Sequence, residues 1–251
     1  MTVNPYASTA GAASFDVTAH AQRVGELVRT SRANLGAIID PDGERLRLID
    51  DEGRLLPHDE ALLCLLSLVT AVHEGARVAL PVAASRVAER IAEAAGAEIV
   101  WTKLSTSSLM EAASQPGVVF AASQDSGFIF PAFIPAYDAT AAFVNTLELL
   151  ARTGLRLSKV AAGTERPHIA HESVVTPWEQ KGTVMRTLVE RIKDHPLVLV
   201  DGVKVLYPDG WVLVLPDPEE PLTHVWAERD DDAGARALAQ EYARRIRQML
   251  R

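Results

Sequence analysis

The chain has 251 residues, of which 48% are hydrophobic, and its formal net charge is -8. This length allows one large domain or two ordinary ones, and the acidic balance argues against nucleic acid and anionic membranes as partners. The longest apolar run, residues 61–72, is too short to span a membrane, no secretory signal is visible, and the single cysteine cannot form an internal disulfide. We therefore expect a cytoplasmic protein.

Strands and helices are predicted to alternate through the first 160 residues, after a polar, extended lead-in over residues 1–16. Apolar spacing and turn residues predict helices over 17–31, 59–73, 85–95, 107–113 and 138–153, and strands over 35–39, 46–49, 77–82, 99–103 and 118–122. Such alternation builds a parallel sheet covered on both faces. We therefore expect a partial α/β layer over residues 1–75 and a complete α/β/α domain over residues 76–160.

The remaining part of the chain has a different pattern. Strands are predicted in series over 197–200, 204–207, 211–215 and 224–227, and helices are predicted over 177–193 and 232–250. Consecutive strands flanked by helices are typical of an α+β domain, which we place over residues 161–251. The predicted fold class is α/β, with partial and complete α/β/α layers followed by a smaller α+β domain.

A loop of alternating carboxylates follows the first predicted strand, with the sequence Asp40-Pro41-Asp42-Gly43-Glu44-Arg45. Mg²⁺ prefers oxygen ligands from closely spaced carboxylates, so a bent loop could aim Asp40, Asp42 and Glu44 at one cation. The same segment fits a type I turn, with Asp first, Pro second and Gly fourth. Both interpretations, a cation site and a plain turn, stay open.

Two later loops complete a pattern together with this one. They read Ser123-Gln124-Asp125-Ser126-Gly127-Phe128 and Leu215-Pro216-Asp217-Pro218-Glu219-Glu220-Pro221. In this order the three loops resemble those of the phosphohexomutases, the family of phosphomannomutase and phosphoglucomutase. That family uses Asp-Gly-Asp-x-Asp-Arg to hold a metal, Gly-Glu-x-Ser-Gly-His to recognise sugar hydroxyls, and Arg-x-Ser-x-Thr-Glu-Pro to hold the substrate phosphate.

The resemblance implies a set of site residues. The implied metal ligands, for Mg²⁺, are Asp40, Asp42 and Glu44, the implied catalytic residue is Arg45, and the implied substrate-binding residues are Gln124, Ser126 and Lys103. Two departures affect the metal loop, because Pro41 stands where the family has glycine and Glu44 is one methylene longer than aspartate. Proline fixes φ near -65°, so the backbone must differ if the family loop uses a positive φ there.

The third loop departs furthest from the family pattern. Leu215 replaces the arginine, Asp217 the serine and Glu219 the threonine. A phosphate dianion needs cations or amide and hydroxyl donors, whereas a carboxylate only accepts hydrogen bonds. A like charge about 4 Å away costs about 1–4 kcal/mol. We therefore expect no phosphate binding here in the manner of the family.

The resemblance begins partway through the family's second domain, and nothing in the sequence matches the Ser-His-Asn-Pro type loop that carries the family's phosphoserine. A sheet without its first strands would expose an edge, so we expect a missing N-terminal segment or another subunit to cover it. Residues 177–186 resemble the mutase-like tail of bacterial mannose-1-phosphate guanylyltransferase fusion proteins. The same residues also fit a helix start, with Pro177 early and Glu179 near the positive end.

Two functional hypotheses follow from these patterns. The leading one is a degenerate phosphohexomutase module, a pseudoenzyme of sugar-phosphate and nucleotide-sugar metabolism that forms a structural or regulatory part of a sugar nucleotidyltransferase system. Hexose phosphate and a nucleotidyltransferase domain are its expected partners. The alternative is a functional phosphomannomutase or phosphoglucomutase, an intramolecular phosphotransferase completed by a separate phosphoserine domain that Arg45 would help to orient.

Overall fold

The computed structural model describes residues 16–192 and 194–250. Its helices are α1 (Val17–Ser31), α2 (His58–Val72), α3 (Arg86–Ala94), α4 (Thr106–Ala113), α5 (Ala139–Thr153), α6 (Leu157–Gly163), α7 (Trp178–Arg191) and α8 (Asp232–Met249). Its strands are β1 (Gly36–Ile39), β2 (Leu46–Ile49), β3 (Arg77–Pro81), β4 (Glu98–Thr102), β5 (Val118–Ala122), β6 (Phe128–Ile129), β7 (Ile169–Val175), β8 (Leu197–Val198), β9 (Val203–Tyr207), β10 (Gly210–Pro216) and β11 (Leu222–Glu228). The predicted α/β fold class is confirmed.

The N-terminal part is a helix packed on a two-stranded hairpin. β1 and β2 pair antiparallel, with Gly36 opposite Ile49 and Ile39 opposite Leu46. α1 approaches the hairpin so closely that a Cβ atom on Gly36 would lie 2.8 Å from Cγ2 of Val28, a position that only glycine fills without a clash. The hairpin therefore holds residues 40–45 as the turn between its strands.

The middle sheet has the strand order β4-β3-β5-β6. β3 runs parallel to both β4 and β5, and the short β6 is antiparallel to β5. The carboxyl ends of the parallel strands therefore share one edge, which is where open α/β sheets bind their ligands. Residues 82–85, 103–105 and 123–127 follow these strands at that edge.

One apolar core joins the hairpin to the middle sheet. It runs from Leu46 to Ala161 in the sequence and includes most of α2, whose leucines are almost completely buried. This explains why α2 is apolar on nearly every face. The domain boundaries predicted at residues 75 and 160 stay predictions.

The C-terminal part contains an antiparallel sheet of order β7-β11-β10-β9-β8. α7 and α8 contribute apolar side chains to a second core with this sheet, in which Tyr242 and Ile246 of α8 are fully buried. This arrangement matches the predicted smaller α+β domain.

The C-terminal sheet packs on the carboxyl edge of the middle sheet. Trp211 and Leu213 of β10 share a buried apolar cluster with Val82 and Ala83, which follow β3. Lys204 of β9 donates a hydrogen bond from Nζ to the carbonyl oxygen of Val82 at 2.7 Å. Burial lowers the pKa of Lys204 to about 8, and its ammonium lies 4.5 Å from the ring centroid of Trp211.

Hydrogen bonds also join the C-terminal sheet to the carboxyl edge of the middle sheet. Glu228 of β11 accepts one from the amide of Arg86 at 2.9 Å and another from the hydroxyl of Ser85. Asp201 accepts one from the amide of Leu104 at 2.9 Å. The loops after β3 and β4 are thus engaged with the C-terminal sheet, whereas the loop after β5 contacts the N-terminal hairpin.

Several elements differ from those predicted. β6, β7 and α6 were not expected, and the strand predicted over 197–200 ends at Val198. β8 is an edge strand with only two paired residues, so little holds residues 199–200 in the sheet. The lead-in predicted for residues 1–16 lies outside the described residues except for Asp16, which caps α1, and Lys193 also lies outside them. None of the helices in the described part of the chain is long and apolar enough to cross a bilayer.

Candidate functional site

The carboxylate loop and the loop after β5 lie against each other, although 80 residues separate Arg45 from Asp125. The amide of Leu46 donates to the carbonyl oxygen of Ser126 at 3.0 Å, and Arg45 forms an antiparallel bridge with Gly127. A Cβ atom on Gly127 would lie 2.4 Å from a ring carbon of Tyr137, so this contact needs glycine. The structure brings together two of the three loops that the sequence singled out.

The carboxylate loop has the hydrogen bonds of a turn. The amide of Gly43 donates to the carbonyl oxygen of Asp40 at 3.1 Å, and Gly43 has a φ of 76°. Oδ1 of Asp40 accepts from the amides of Glu44 and Arg45 at 3.0 and 3.1 Å. These bonds use the Asp40 carboxylate to close the turn.

The carboxylates of this loop do not fit Mg²⁺ as they are arranged. Across residues 16–192 and 194–250, no group of three or more His, Cys, Asp or Glu side chains has an arrangement that could hold a metal ion. Asp40 is bound to backbone amides, and Glu44 pairs with Arg45 at 3.2 Å. The assignment of Asp40, Asp42 and Glu44 as metal ligands stays a prediction.

Arg45 is held by carboxylates on two sides. Its Nε donates to Oδ2 of Asp125 at 2.8 Å, its Nη1 donates to Glu44, and its guanidinium lies 4.6 Å from the ring centroid of Tyr137. Burial opposes the ionisation of Asp125, but hydrogen bonds from Ser123 and Arg45 hold the pKa of Asp125 below its ordinary value. The charge of Arg45 is therefore largely matched within the protein, and its catalytic role stays a prediction.

Arg47 and His58 were missed by the sequence analysis, yet both contact the predicted Ser126. Nη1 of Arg47 donates to the hydroxyl of Ser126 at 3.2 Å, and that hydroxyl lies 2.8 Å from Nδ1 of His58. Arg47 also contacts both imidazole nitrogens of His58. Arg47 follows Arg45 by two residues, both are half-buried, and Leu46 between them is buried. Side chains two residues apart on a strand share a face, and this spacing was the available sequence signal.

The other two predicted substrate-binding residues lie at the same edge. Gln124 donates from Nε2 to the carbonyl oxygen of Ala83 at 2.6 Å, which ties the loop after β5 to the loop after β3. Lys103 follows β4 and is exposed. Their positions at the carboxyl edge agree with ligand binding in an open α/β sheet, and their roles stay predictions.

In the third loop, a carboxylate takes the place where an anion would bind. Oδ1 of Asp217 accepts from the amides of Glu219 and Glu220, both at 2.7 Å, and Oδ2 lies 2.9 Å from Nε2 of His224. Lys181 donates from Nζ to the carbonyl oxygens of Asp217 and Glu220. Successive backbone amides that point to one spot form an anion-binding concavity, and here the protein fills it with its own carboxylate.

His224 extends this contact to a second histidine. Nε2 of His171 lies 3.0 Å from Nδ1 of His224, and His171 stacks on Trp226 with ring centroids 4.8 Å apart. Burial and the neighbouring His224 lower the pKa of His171. In the neutral tautomer of His224 that donates from Nε2 to Asp217, Nδ1 accepts, and His171 is then the donor between the two rings.

The Asp217 contacts predict how the loop responds to acid. Hydrogen bonds from His224 and from the amides of Glu219 and Glu220 lower the pKa of Asp217 to about 2. An unfolded aspartate titrates near pH ~3.9, so the ionised group stabilises the fold fully above about pH 4 and loses this effect as the pH falls through about 2. The urea midpoint of the wild type should exceed that of Asp217→Asn near neutral pH and converge with it near pH ~2.

The carboxyl ¹³C shift of Asp217 gives a direct second measurement of the same titration. A midpoint near that of free aspartate, or a difference between the two proteins that grows toward acid, would contradict the observed hydrogen bonds. Asp217→Asn is the matched variant, because its amide oxygen still accepts hydrogen bonds while the charge is absent.

Comparison with known proteins identifies relatives over most of the chain. Residues 58–166 match the family described as phosphoglucomutase/phosphomannomutase, alpha/beta/alpha domain III. A protein of Methanopyrus kandleri named "Probable phosphoglucosamine mutase" is 30% identical over 225 residues, which are 89% of this chain and 50% of that protein. A phosphoglucomutase/phosphomannomutase of Thermococcus kodakarensis is 24% identical over 84% of this chain and 46% of its own length.

Solved structures agree with the fold. A phosphoglucomutase/phosphomannomutase family protein of Burkholderia thailandensis superposes with a TM-score of 0.75 at 23% identity, over 91% of this chain and 49% of its own. The Aspergillus fumigatus N-acetylphosphoglucosamine mutase, solved with GlcNAc-6P and magnesium, gives a TM-score of 0.62 at 14% identity, over 90% and 53%. The chain spans about half the length of these relatives.

Proposed function

We propose that this chain, which is similar to phosphohexomutases over most of its length, is a module without mutase activity of its own. It serves as a structural or regulatory part of a sugar nucleotidyltransferase system, and it binds hexose phosphate without converting it. The observation that carries this proposal is the Asp217 carboxylate, which occupies the amides of Glu219 and Glu220 at 2.7 Å in the third loop. A substrate phosphate would have to displace an ionised group that is already hydrogen-bonded.

The engaged state of Arg45 supports the same proposal. Its guanidinium pairs with Asp125 and Glu44, and it would have to leave these carboxylates to stabilise a transferring phosphoryl group. Among the described residues, no group of three or more His, Cys, Asp or Glu side chains is placed to hold a metal ion. The nucleotidyltransferase partner rests on the likeness of residues 177–186 to fusion-protein tails.

A second candidate is a complete mutase in which another segment or chain supplies the phosphoserine. The relatives named above are mutases about twice as long as the matched region, and the loops that resemble the family's metal and sugar loops are in contact through Arg45 and Gly127. This candidate requires Asp217 to move away from the amides of Glu219 and Glu220 when substrate arrives.

A turnover assay separates the two candidates. The purified chain, with Mg²⁺ and a hexose 1,6-bisphosphate activator, should not convert mannose 6-phosphate, glucose 6-phosphate or glucosamine 6-phosphate into the 1-phosphates. Cooperative urea unfolding of the same sample shows that the protein is folded. Conversion above the rate of an Arg45→Met control would contradict the proposal and favour the second candidate.

The partner is tested by mixing the chain with a mannose-1-phosphate guanylyltransferase in analytical ultracentrifugation. We expect a complex that Trp178→Ala weakens, because Trp178 is 52% exposed at the start of the segment that resembles the fusion tails. Val189→Ala, at a 37% exposed position on the same helix, is the control and should leave the complex unchanged. Sedimentation as separate species would refute this partner.

A further inference from the structure

Arg47 differs from its neighbouring arginines in its partners. Arg45 pairs with Asp125 and Glu44, and Arg54 pairs with Asp50 and Glu60. Among the described residues, Arg47 has no carboxylate within ion-pair distance, although its side chain is half-buried. Its contacts are the uncharged hydroxyl of Ser126 and the imidazole of His58.

This arrangement leaves a positive charge without a matching anion. A guanidinium has five N–H donors and no acceptor, so its contact with His58 favours the neutral imidazole, in which one ring nitrogen can accept. Burial and the neighbouring Arg47 lower the pKa of His58 in agreement with this. Burial also lowers the pKa of Arg47, because Asp125 and Asp40 offset only part of the desolvation.

Ser126 is held in an unusual backbone conformation that places its hydroxyl beside Arg47 and His58. Its φ is 69°, in the left-handed region that residues with a Cβ rarely adopt. Only 2% of Ser126 is exposed, and its carbonyl oxygen accepts from the amide of Leu46. Residues held in such conformations cluster at ligand-binding sites, where the surroundings fix them.

We propose that Arg47, His58 and Ser126 form a binding site for the phosphate group of a phosphomonoester. The guanidinium can donate two parallel hydrogen bonds to phosphate oxygens, and the Ser126 hydroxyl can donate a third once it turns from the imidazole. His58 is exposed at the mouth of the site, so its ring can rotate and donate a fourth. The assigned residues lie outside the third loop, whose amides are occupied by Asp217.

The position of the site suggests the rest of the ligand. Ser126 belongs to the loop after β5, and Gln124 of the same loop is tied to Ala83 at the carboxyl edge. An ester group attached to the phosphate can therefore extend along this edge, where Lys103 is exposed. This part rests on the proposed hexose phosphate binding, whereas the phosphate contacts rest on Arg47, His58 and Ser126 alone.

Calorimetric titration of the full chain tests the proposal with inorganic phosphate, mannose 6-phosphate and mannose. We expect saturable binding of phosphate and of the ester, and none of the neutral sugar. Arg47→Met keeps an unbranched stem without the charge and should weaken both ligands at least tenfold. The control is Arg77→Met. Arg77 is the first residue of β3, at the end of the strand away from the carboxyl edge, and it pairs with Glu98.

Ser126→Gly guards against loss of folding, since glycine accepts the positive φ without strain. It should remain as stable as the wild type and should bind phosphate at least threefold more weakly. Binding that Arg47→Met and Ser126→Gly leave unchanged, or the absence of saturable phosphate binding by the wild type, would overturn the proposal. These measurements report binding only. Turnover in the mutase assay would therefore contradict the proposed function without contradicting this phosphate site.

Discussion

Phe120→Ala is expected to reduce the free energy of unfolding by about 3–5 kcal/mol. Phe120 of β5 is completely buried, and its ring packs against Phe128 and Phe130 with centroid distances of 6.3 and 5.2 Å. The substitution removes the transfer free energy of a buried ring and leaves a cavity in a core that spans the hairpin and the middle sheet. Urea unfolding of the two proteins measures the difference.

The same chain offers a matched control for this substitution. Phe133 is 72% exposed, so Phe133→Ala removes the same atoms from a largely solvated position and should change stability by less than about 0.5 kcal/mol. Similar losses for the two variants would mean that the aromatic cluster does not hold the core as described.

The Phe120 variant also reports on the site. Phe120 lies before the loop of residues 123–127 and Phe128 lies directly after it, so their contact clamps both ends of the segment that carries Ser126. Measured without urea, where both variants are folded, phosphate binding should therefore be weaker in Phe120→Ala than in the wild type. It should be unchanged in Phe133→Ala.

Most elements of the fold could be predicted because their signals are local. Ser85 and Asp138 cap the helices that follow them, as their positions before apolar-periodic segments predict. β7 was missed because its alternation is weak: it lies at the edge of its sheet, and His171 and Ser173 are exposed on it. Apolar periodicity identifies a strand only when one face is buried.

The site was only half predictable for a different reason. The loops containing Arg45 and Ser126 carried a recognisable pattern, but the contacts of Arg47 depend on chain segments 11 and 79 residues away. No local rule brings His58 and Ser126 to the same guanidinium. Lys204 is similar, since nothing in its strand indicates that its ammonium will be buried against Trp211 and bonded to Val82.

From charge alone, the third loop, residues 215–221, was expected not to bind phosphate. The geometry of the loop adds a second reason. A like charge would repel phosphate at any nearby position, but Asp217 also consumes the two amides that could have bound it. Two separate changes are therefore needed to make the loop accept an anion. The carboxylate must be removed from the amides, and a cation must be supplied in addition to Lys181, whose ammonium is bonded to carbonyl oxygens of the loop.

Replacing Leu215, Asp217 and Glu219 by the family's Arg, Ser and Thr should accordingly create phosphate binding at this loop. We expect the dissociation constant for inorganic phosphate to fall at least tenfold relative to the parent chain, because charge-assisted hydrogen bonds contribute about 1.5–3 kcal/mol each. Changes in the NMR shifts of the amides of residues 219 and 220 locate the bound anion. The variants are made in an Arg47→Met background, which removes phosphate binding at the proposed site of Arg47, His58 and Ser126.

Single variants decide between charge and geometry as the cause. Leu215→Arg alone should give no gain, since the new guanidinium would pair with the resident Asp217 carboxylate. Asp217→Asn alone should give none, because the ammonium of Lys181 is already bonded to the carbonyl oxygens of residues 217 and 220. Phosphate-dependent amide shifts at residues 219 and 220 in the parent chain would refute the electrostatic argument. A triple variant that folds but shows no shifts would mean that the backbone of residues 215–221, and not its charge, prevents phosphate from binding.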